Sequence, residues 1–286
     1  VSHRVKNKML IFDFNQVVLS NLMEQIGYSK TAVDESLVRH MVLNTIRANV
    51  KKFKEYGEVV IACDNKRYWR REIFPAYKAN RKKNREASGH DWTTIFECMS
   101  KIRQELKDNS PYKVIDVDGA EADDVIGALV REYSYREPIM ILSSDKDFVQ
   151  LQSYSNVKQY SPTLKKHIKT DDPKEQLREL IIRGDSGDGI PNVLSSDNCL
   201  VEGVRQKPIT KKVFLQLMDI TQPTNESIAR NWNRNSMLID LNRIPDSINK
   251  SIIDTYSEVK PASRQQFMNY MIQNRLKNLL EVIDEF

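Results

Sequence analysis

Ten carboxylates are spread along the first two-thirds of the chain in a pattern that chemistry could use. Asp13, Asp64, Asp118, Glu121, Asp123, Asp124, Asp145, Asp147, Asp185 and Asp188 each follow an apolar run or sit in a glycine-rich turn. Singly, each has an ordinary explanation. Acids at a helix start, as from Glu121 to Asp124, are favoured by the helix dipole. Gly-Asp turns, such as Gly184-Asp185-Ser186-Gly187-Asp188, are common in loops. Gathered in one place, they need another account. Two carboxylates about 4 Å apart repel by roughly 4 kcal/mol at an effective dielectric near 20, so a convergent set requires cations. An all-oxygen donor set without His or Cys suits Mg²⁺ or Mn²⁺, and a pair of such ions is the clamp used for phosphodiester hydrolysis.

The elements that would gather these acids can be read from apolar patterning. Met9 to Phe12, Glu58 to Cys63, Tyr112 to Val117 and Pro138 to Leu142 read as strands, each running into one acidic group, and Val157 to Tyr160 gives a further short strand signal. Between them lie helical patterns. One runs from Asp34 to Tyr56 with Leu37, Met41, Ile46 and Val50 on one face and Gly57 as its stop. A second starts at Asp91, an N-cap, and runs towards Leu106 with Ile95, Met99 and Ile102 inward. Ala120 to Tyr133 is a third, and Phe148 to Leu151 a short one. Such alternation predicts a parallel sheet covered by helices on both faces. Ligands of these sheets bind beyond the carboxyl ends of the strands, which is where the acids fall. From Pro173 onward strand signals vanish. Leu177 to Arg183, Lys211 to Met218, Ser247 to Tyr256 and Arg264 to Ile283 read as helices, and Ser186 to Pro208 as loop.

A second chemical feature follows directly on Asp64. Residues Lys66 to Glu86 hold nine Lys and Arg against two Glu, a net charge of +7 in 21 residues, with Tyr68, Trp69, Phe74 and Tyr77 interleaved. Charge runs are usually solvated loops, but such a loop has no use for four aromatics. Cations that neutralise phosphates and rings that stack on unpaired bases make a single-strand-binding surface.

The totals bound these readings. The chain has 286 residues with 40% hydrophobic and 29% charged, enough to bury a core. Its 44 Lys and Arg against 39 Asp and Glu give a formal charge of only +5, so the residues outside 66–86 sum to −2. No run is long enough to span a bilayer, and the basic N-terminus precedes an apolar run too short for a signal peptide. The three cysteines (Cys63, Cys98, Cys199) and four histidines (His3, His40, His90, His167) are scattered, which argues against a zinc site or a disulfide framework. A soluble protein of a reducing compartment, the cytoplasm, is expected.

The ordered motifs carry a resemblance. Ile-Phe-Asp-Phe-Asn-Gln (11–16), Ala-Cys-Asp-Asn (62–65), Tyr-Trp-Arg-Arg (68–71), Ala-Tyr-Lys-Ala-Asn-Arg (76–81), Glu-Ala-Asp-Asp (121–124), Ser-Ser-Asp-Lys-Asp-Phe (143–148) and Gly-Asp-Ser-Gly-Asp (184–188) stand in sequence order. This set resembles the 5′-nuclease or flap endonuclease family, most of all its T-even phage members with ribonuclease H activity. The resemblance implies an α/β fold of the PIN type, with a central, mostly parallel sheet flanked by helices, a helical arch and a helical C-terminal region. It implies a nuclease core at 1–180 with the arch at 65–90, and a DNA-binding region at 181–286. The activity implied is hydrolysis of phosphodiesters with two Mg²⁺ ions, Mn²⁺ substituting, to remove RNA primers and 5′ flaps. Branched DNA and RNA–DNA hybrids are the implied substrates. A single-strand DNA-binding protein and a sliding clamp are family-level expectations, and a monomer with no membrane partner is expected.

By motif, Asp13, Asp64, Glu121 and Asp123 resemble ligands of a first metal region and Asp185 and Asp188 of a second, with Asp145 and Asp147 between them and Asp124 behind. Lys78, Asp145 and Asp147 are the implied catalytic residues, Lys78 meeting the scissile phosphate. Arg70, Arg71, Tyr77, Lys78, Asn80 and Arg81 are the implied nucleic-acid contacts. Two departures stand out: Gly189 and Asn192 replace the family's Asn and Gly, and no clean Gly-Ile-Gly-x-Lys run follows Val193. Two other readings compete. A haloacid-dehalogenase-like phosphatase needs a second acid where Asn15 stands and leaves the +7 segment unused. A non-catalytic nucleic-acid-binding module has no use for so many acids.

Overall fold

The structure, a computed structural model, describes residues 8–29 and 32–286. The basic stretch at 1–7, with His3 and most of the N-terminus weighed as a signal peptide, lies outside the described residues. Six strands form one sheet: β1 (Met9–Asp13), β2 (Glu58–Ala62), β3 (Lys113–Ile115), β4 (Ile139–Leu142), β5 (Val157–Ser161) and β6 (Lys166–Ile168). Their order is β3-β2-β1-β4-β5-β6, parallel except for β6, which returns antiparallel along β5. Continuous apolar runs suit the central strands because both sheet faces are covered. In β1, Leu10 and Phe12 enter one core and Met9 and Ile11 the other. The strand order reverses between β1 and β4, which opens a crevice at their carboxyl ends. Asp13 lies opposite Ala62 in the β1–β2 register, so Asp64 emerges just beyond it.

The helices in chain order are α1 (Phe14–Ser29), α2 (Glu35–Lys52), α3 (Trp69–Ile73), α4 (Asn80–Ala87), α5 (Trp92–Asn109), α6 (Ala122–Tyr133), α7 (Pro173–Arg183), α8 (Lys211–Asp219), α9 (Glu226–Ile239), α10 (Asp246–Glu258), α11 (Arg264–Gln273) and α12 (Lys277–Leu280). The face of Leu10 and Phe12 is covered by α1, α2 and α5, joined by Phe267 of α11 and Leu279 of α12. The other face is covered by α6 and α10, with Val125, Leu129, Ile252 and Tyr256 inward. Each fully buried Ile or Leu stabilises this arrangement by roughly 1.5–3 kcal/mol. The last third of the chain thus closes both faces of the sheet. Around Ile182, Val193 and Leu217, the α7 to α9 segment has a small core of its own.

Local signals account for most boundaries. Asp34 and Asp91 cap α2 and α5 through hydrogen bonds from Leu37 N–H and Thr94 N–H, both 3.1 Å. Glu121 and Asp124 form a reciprocal capping box on α6.

Several expectations need correction. Helix α1 was missed: it starts without a break after β1, and Asp13 Oδ1 accepts from Gln16 N–H (3.2 Å) while still belonging to the strand. In α2 the inward face is set by Val38, Val42, Leu43 and Ile46, with Leu37 exposed. That helix ends at Lys52, before Gly57, because Phe53 turns into the core and its N–H caps Asn49 O. Strand β6 and helix α9 were also missed. The expected helix from Arg264 to Ile283 is broken at Arg275, which adopts a left-handed φ of 55°.

Candidate active site

At the carboxyl end of β1, Asp13 Oδ2 accepts a hydrogen bond from Ser143 Oγ (3.1 Å), and Ser143 Oγ in turn accepts from Asp145 N–H (3.1 Å). A single hydroxyl therefore ties the β1 acid to the β4 loop. Asp145 caps the 3-10 turn Lys146–Ser153 by accepting from Asp147 N–H at 2.9 Å. Beyond β2, Asp64 accepts from Ala122 N–H (2.7 Å), from the first residue of α6, and from the Asn15 side chain. Position 15 thus supports an acid rather than being one.

The electrostatics of this ring are strained. Burial raises the Asp13 carboxyl to about 7, reinforced by Asp64 and Asp145. Burial also raises Asp147 to about 7, reinforced by Asp145, Asp185 and Asp188. Asp64 and Asp123 are pushed up as well, chiefly by burial. Asp147 Oδ1 is buried with no hydrogen-bond partner. Among the described residues no three acids, histidines or cysteines are drawn together closely enough to hold a metal ion. The ring is offset instead by the protein's own cations.

Those cations come from the base of the basic segment. Lys78 Nζ lies 2.5 Å from Glu121 Oε1 and 3.6 Å from Asp188 Oδ2. Its backbone is left-handed (φ 56°) and its N–H donates to Asp188 O at 2.7 Å, a conformation a lysine adopts only when its surroundings impose it. Arg81 pairs with Asp188 Oδ1, Asn80 Nδ2 donates to Ser186 O at 2.7 Å, and Lys146 pairs with Asp185 at 3.2 Å. At Glu121 burial opposes ionisation, but Lys78 and Arg70 outweigh it and hold the carboxyl below its usual range. Asp188 is held low in the same way by Lys78 and Arg81, against its burial.

Gly189 makes this contact between loop and arch base feasible. At φ 73°, a Cβ there would lie 2.8 Å from Ala76 O, so only glycine lets the loop approach.

Three expected nucleic-acid contacts, Arg70, Tyr77 and Lys78, lie in the interior. Arg70 is 2% exposed; it pairs with Glu121 and Asp124, each at 2.9 Å, and donates to Leu238 O at 2.8 Å. Tyr77 is equally buried, and its hydroxyl reaches Glu121 (3.1 Å) and Asp188 (3.2 Å). Trp69 and Phe74 are buried too. Trp69 Nε1 donates to Asp124, and Phe74 packs with Tyr77, Ile190, Leu238 and Ile239. The expected base-stacking surface is therefore largely a packed support for Glu121; of the four rings only Tyr68 stays half-open, capped by Arg71 at 4.9 Å. Asp118 stands apart, exposed and facing Arg67.

Three supporting residues escaped sequence reasoning. Gln159 of β5, fully buried, donates to Ser143 O (3.0 Å) and Asp145 O (2.6 Å), fixing the acid loop from behind. Gln16 accepts from Ser144 N–H at 2.6 Å. Arg103 of α5 donates to Asp64 O at 2.8 Å. The glutamine left one trace, a polar residue inside a strand run; Arg103 left none.

The chain is similar to known proteins. A family described as "5'-3' exonuclease, N-terminal resolvase-like domain" matches residues 16–179, and one described as "T4 RNase H, C terminal" matches 173–286. The chain is 36% identical to the ribonuclease H of Enterobacteria phage T4 over 295 residues, covering 98% of this chain and 96% of that one. It is 28% identical over 202 residues to a 5'-3' exonuclease of Buchnera aphidicola, 68% of each chain. Among solved structures, bacteriophage T5 D15 protein co-crystallised with metal ions superposes with a TM-score of 0.62 at 19% identity, covering 87% of this chain and all of that one. The T5 flap endonuclease in a pseudo-enzyme–product complex with DNA and metal ions gives 0.63 at 18% identity, covering 88% of this chain and all of that one. At such identities these two establish the fold alone.

Sequence relatives and geometry agree on a hydrolase of phosphodiesters. Within that class the chain belongs to the 5'-3' exonuclease family, alongside phage T4 ribonuclease H, and is a 5′-nuclease. Among the described residues no helix is long and apolar enough to cross a membrane.

Proposed function

We propose that this 5′-nuclease trims RNA primers and 5′ flaps from branched DNA and RNA–DNA hybrids, with two Mg²⁺ ions in the acid ring and Mn²⁺ able to replace them. The observation that carries the reading is the seating of Lys78 and Arg81 directly among the carboxylates. A polyanion drawn to the basic segment would thereby lie beside the acids.

The donor chemistry of the ring, all carboxylate oxygens with Asp147 Oδ1 lacking a partner, suits hard divalent cations, and binding them would draw the acids closer together than they stand here. Asp13, Asp64, Glu121 and Asp123 would hold one ion and Asp185 and Asp188 the other, with Asp145 and Asp147 between. Bound there, such ions would supply an activated water and stabilise the leaving oxygen. The chain's own residues do the rest. Ser143, Gln159 and Gln16 fix the β4 loop, Arg70 and Tyr77 fix Glu121, and Lys78 stands at the junction of ring and arch to meet the scissile phosphate. Arg71 and Arg81, both solvent-facing, are placed for neighbouring phosphates. Residues 1–180 would carry the chemistry and 181–286 the duplex.

The deciding experiment incubates 5′-labelled flap, nicked and RNA–DNA hybrid substrates with the protein, with and without Mg²⁺. Cleavage by the wild type should require the ion, and Asp145→Asn and Asp188→Asn should each lower it at least ~10³-fold while retaining flap binding. Full cleavage by both variants would sink the assignment.

A further inference from the structure

Behind Asp64 lies a polar network that belongs neither to the acid ring nor to the buried base of the basic segment. Arg103, in the second half of α5, donates from Nη1 to Asp64 O at 2.8 Å, and the same nitrogen lies 3.5 Å from Asp116 Oδ2. The other oxygen of Asp116, just past β3, accepts from Asn65 Nδ2 at 2.9 Å. Asn65 N–H donates to Ala120 O at 3.1 Å, and Asn65 Oδ1 accepts from Arg67 N–H at 3.2 Å. The ion pair is largely covered, with side-chain exposures of 20% for Arg103 and 17% for Asp116.

The hold on Asp64 is divided. Its carboxylate is fixed from one side by Ala122 N–H at 2.7 Å and by the Asn15 side chain. Its main chain is fixed from the other side by Arg103. Strand β2 ends at Ala62, so the sheet ladder does not reach the Asp64 carbonyl, and a buried carbonyl needs a donor from elsewhere. Charge shows how Arg103 acts. Asp116 sets a carboxylate against the guanidinium, so the pair adds little net charge to the ring and works on Asp64 through position. Position matters there, because a ligand constellation tolerates displacements of only about 0.5 Å.

We propose that the Arg103–Asp116 pair is a positioning device for Asp64, which sets the affinity of the acid ring for its divalent ion without touching ion or substrate. The proposal rests on the reading of Asp64 as a metal ligand. It also gives α5 a part in the site, since the same contact ties that helix to the root of the basic segment at 64–67. A plain surface tie between α5 and β3 would contribute little to stability and would be silent in ion binding.

The test reads Mg²⁺ binding to the full chain without substrate, from the rise of melting temperature with ion concentration. Beside it run single-turnover cleavage of a 5′-flap substrate and flap binding without divalent ions. Arg103→Met should weaken Mg²⁺ binding about tenfold and slow cleavage roughly 10–100-fold, with flap affinity unchanged. Arg103→Lys keeps a donor for Asp64 O and should fall between the two. Wild-type ion binding in Arg103→Met would overturn the proposal. So would a loss confined to flap affinity, which would make Arg103 a phosphate contact, or one confined to melting temperature, which would make the pair a plain tie. Should Arg103→Met fail to fold, Asp116→Asn, which keeps the side-chain shape, decides by the same readouts, with about a threefold loss of ion affinity expected. A wild type whose melting temperature ignores Mg²⁺ would bring down the acid-ring reading itself, so the two failures are told apart.

Discussion

The two ends of the basic segment carry the same residue types and do opposite work. At its base, Arg70, Tyr77 and Lys78 are buried among Glu121, Asp124 and Asp188. Along α4 no residue is buried, and Lys82 and Lys83 face water. A buried cation is tolerable only when paired. The base therefore matches its charge against acids from other elements, and the outer helix keeps its charge for a partner. The +7 of residues 66–86 overstates what the surface offers, because Arg70 and Lys78 are buried in the site and Arg81, though exposed, already pairs with Asp188.

The comparison breaks most sharply at Arg70. Arg70→Met keeps much of the volume but leaves Glu121 and Asp124 with an uncompensated charge. It should destabilise the protein by about 3–5 kcal/mol, read by urea unfolding. A variant as stable as wild type would mean that the base is as dispensable as the outer helix.

The buried polar scaffold has a second member at Gln159, and Gln159→Met sharpens the contrast. Two carbonyls of the acid loop, Ser143 O and Asp145 O, would lose their amide partner while the side chain stays nearly isosteric. Ring positions would loosen by a fraction of an ångström, and turnover should fall roughly 10–100-fold with little change in KM. A rise in KM at constant kcat would place Gln159 with the binding surface instead.

How much of this was legible in the sequence depends on range. The convergence of Asp13, Asp64 and Asp145 was, because each stands just past an apolar run and a parallel sheet delivers such ends to one edge, whereas Asp118, read with them, faces Arg67 at the surface. The fate of the aromatics was not. Phe74 and Tyr77 look free in any local window, and what buries them is Ile190, Leu238 and Ile239, more than a hundred residues later. Helix α1 escaped for a different reason, since its starting signal is Asp13, a residue already assigned to the strand. Arg103 supports Asp64 through a backbone carbonyl, an interaction that carries no residue pattern at all.

The acid ring gives the comparison a pH dependence. Asp13 and Asp147 are raised to about 7 in the folded protein, against about 3.9 for an unfolded aspartate. The folded state therefore holds protons that the unfolded chain releases. Their stabilising contribution is full below about pH 4 and is lost as pH rises through 7. Without divalent ions, stability should fall by on the order of 5 kcal/mol between pH 5 and 7.5, roughly half from each carboxyl. Asp147→Asn should flatten that fall, and Mg²⁺ should reverse it at pH 7.5. Thermal denaturation across the pH series checks this; a slope unchanged in Asp147→Asn would move the strain elsewhere.

The smallest effect on folding belongs to the outer helix. Lys82→Ala with Lys83→Ala removes two exposed charges, one of which has only a loose partner in Glu86 at 4.0 Å. Stability should change by no more than about 0.5 kcal/mol. Binding of a single strand should weaken, and its log–log salt slope should shrink by about 1.4, since each lost phosphate contact removes ~0.7. The pair of readouts matters more than either alone. An unchanged slope would show that α4 does not meet phosphates, whereas a large loss of stability would show that its lysines are engaged as Arg70 is. Only a small loss of stability together with a reduced slope keeps the outer helix distinct from the base.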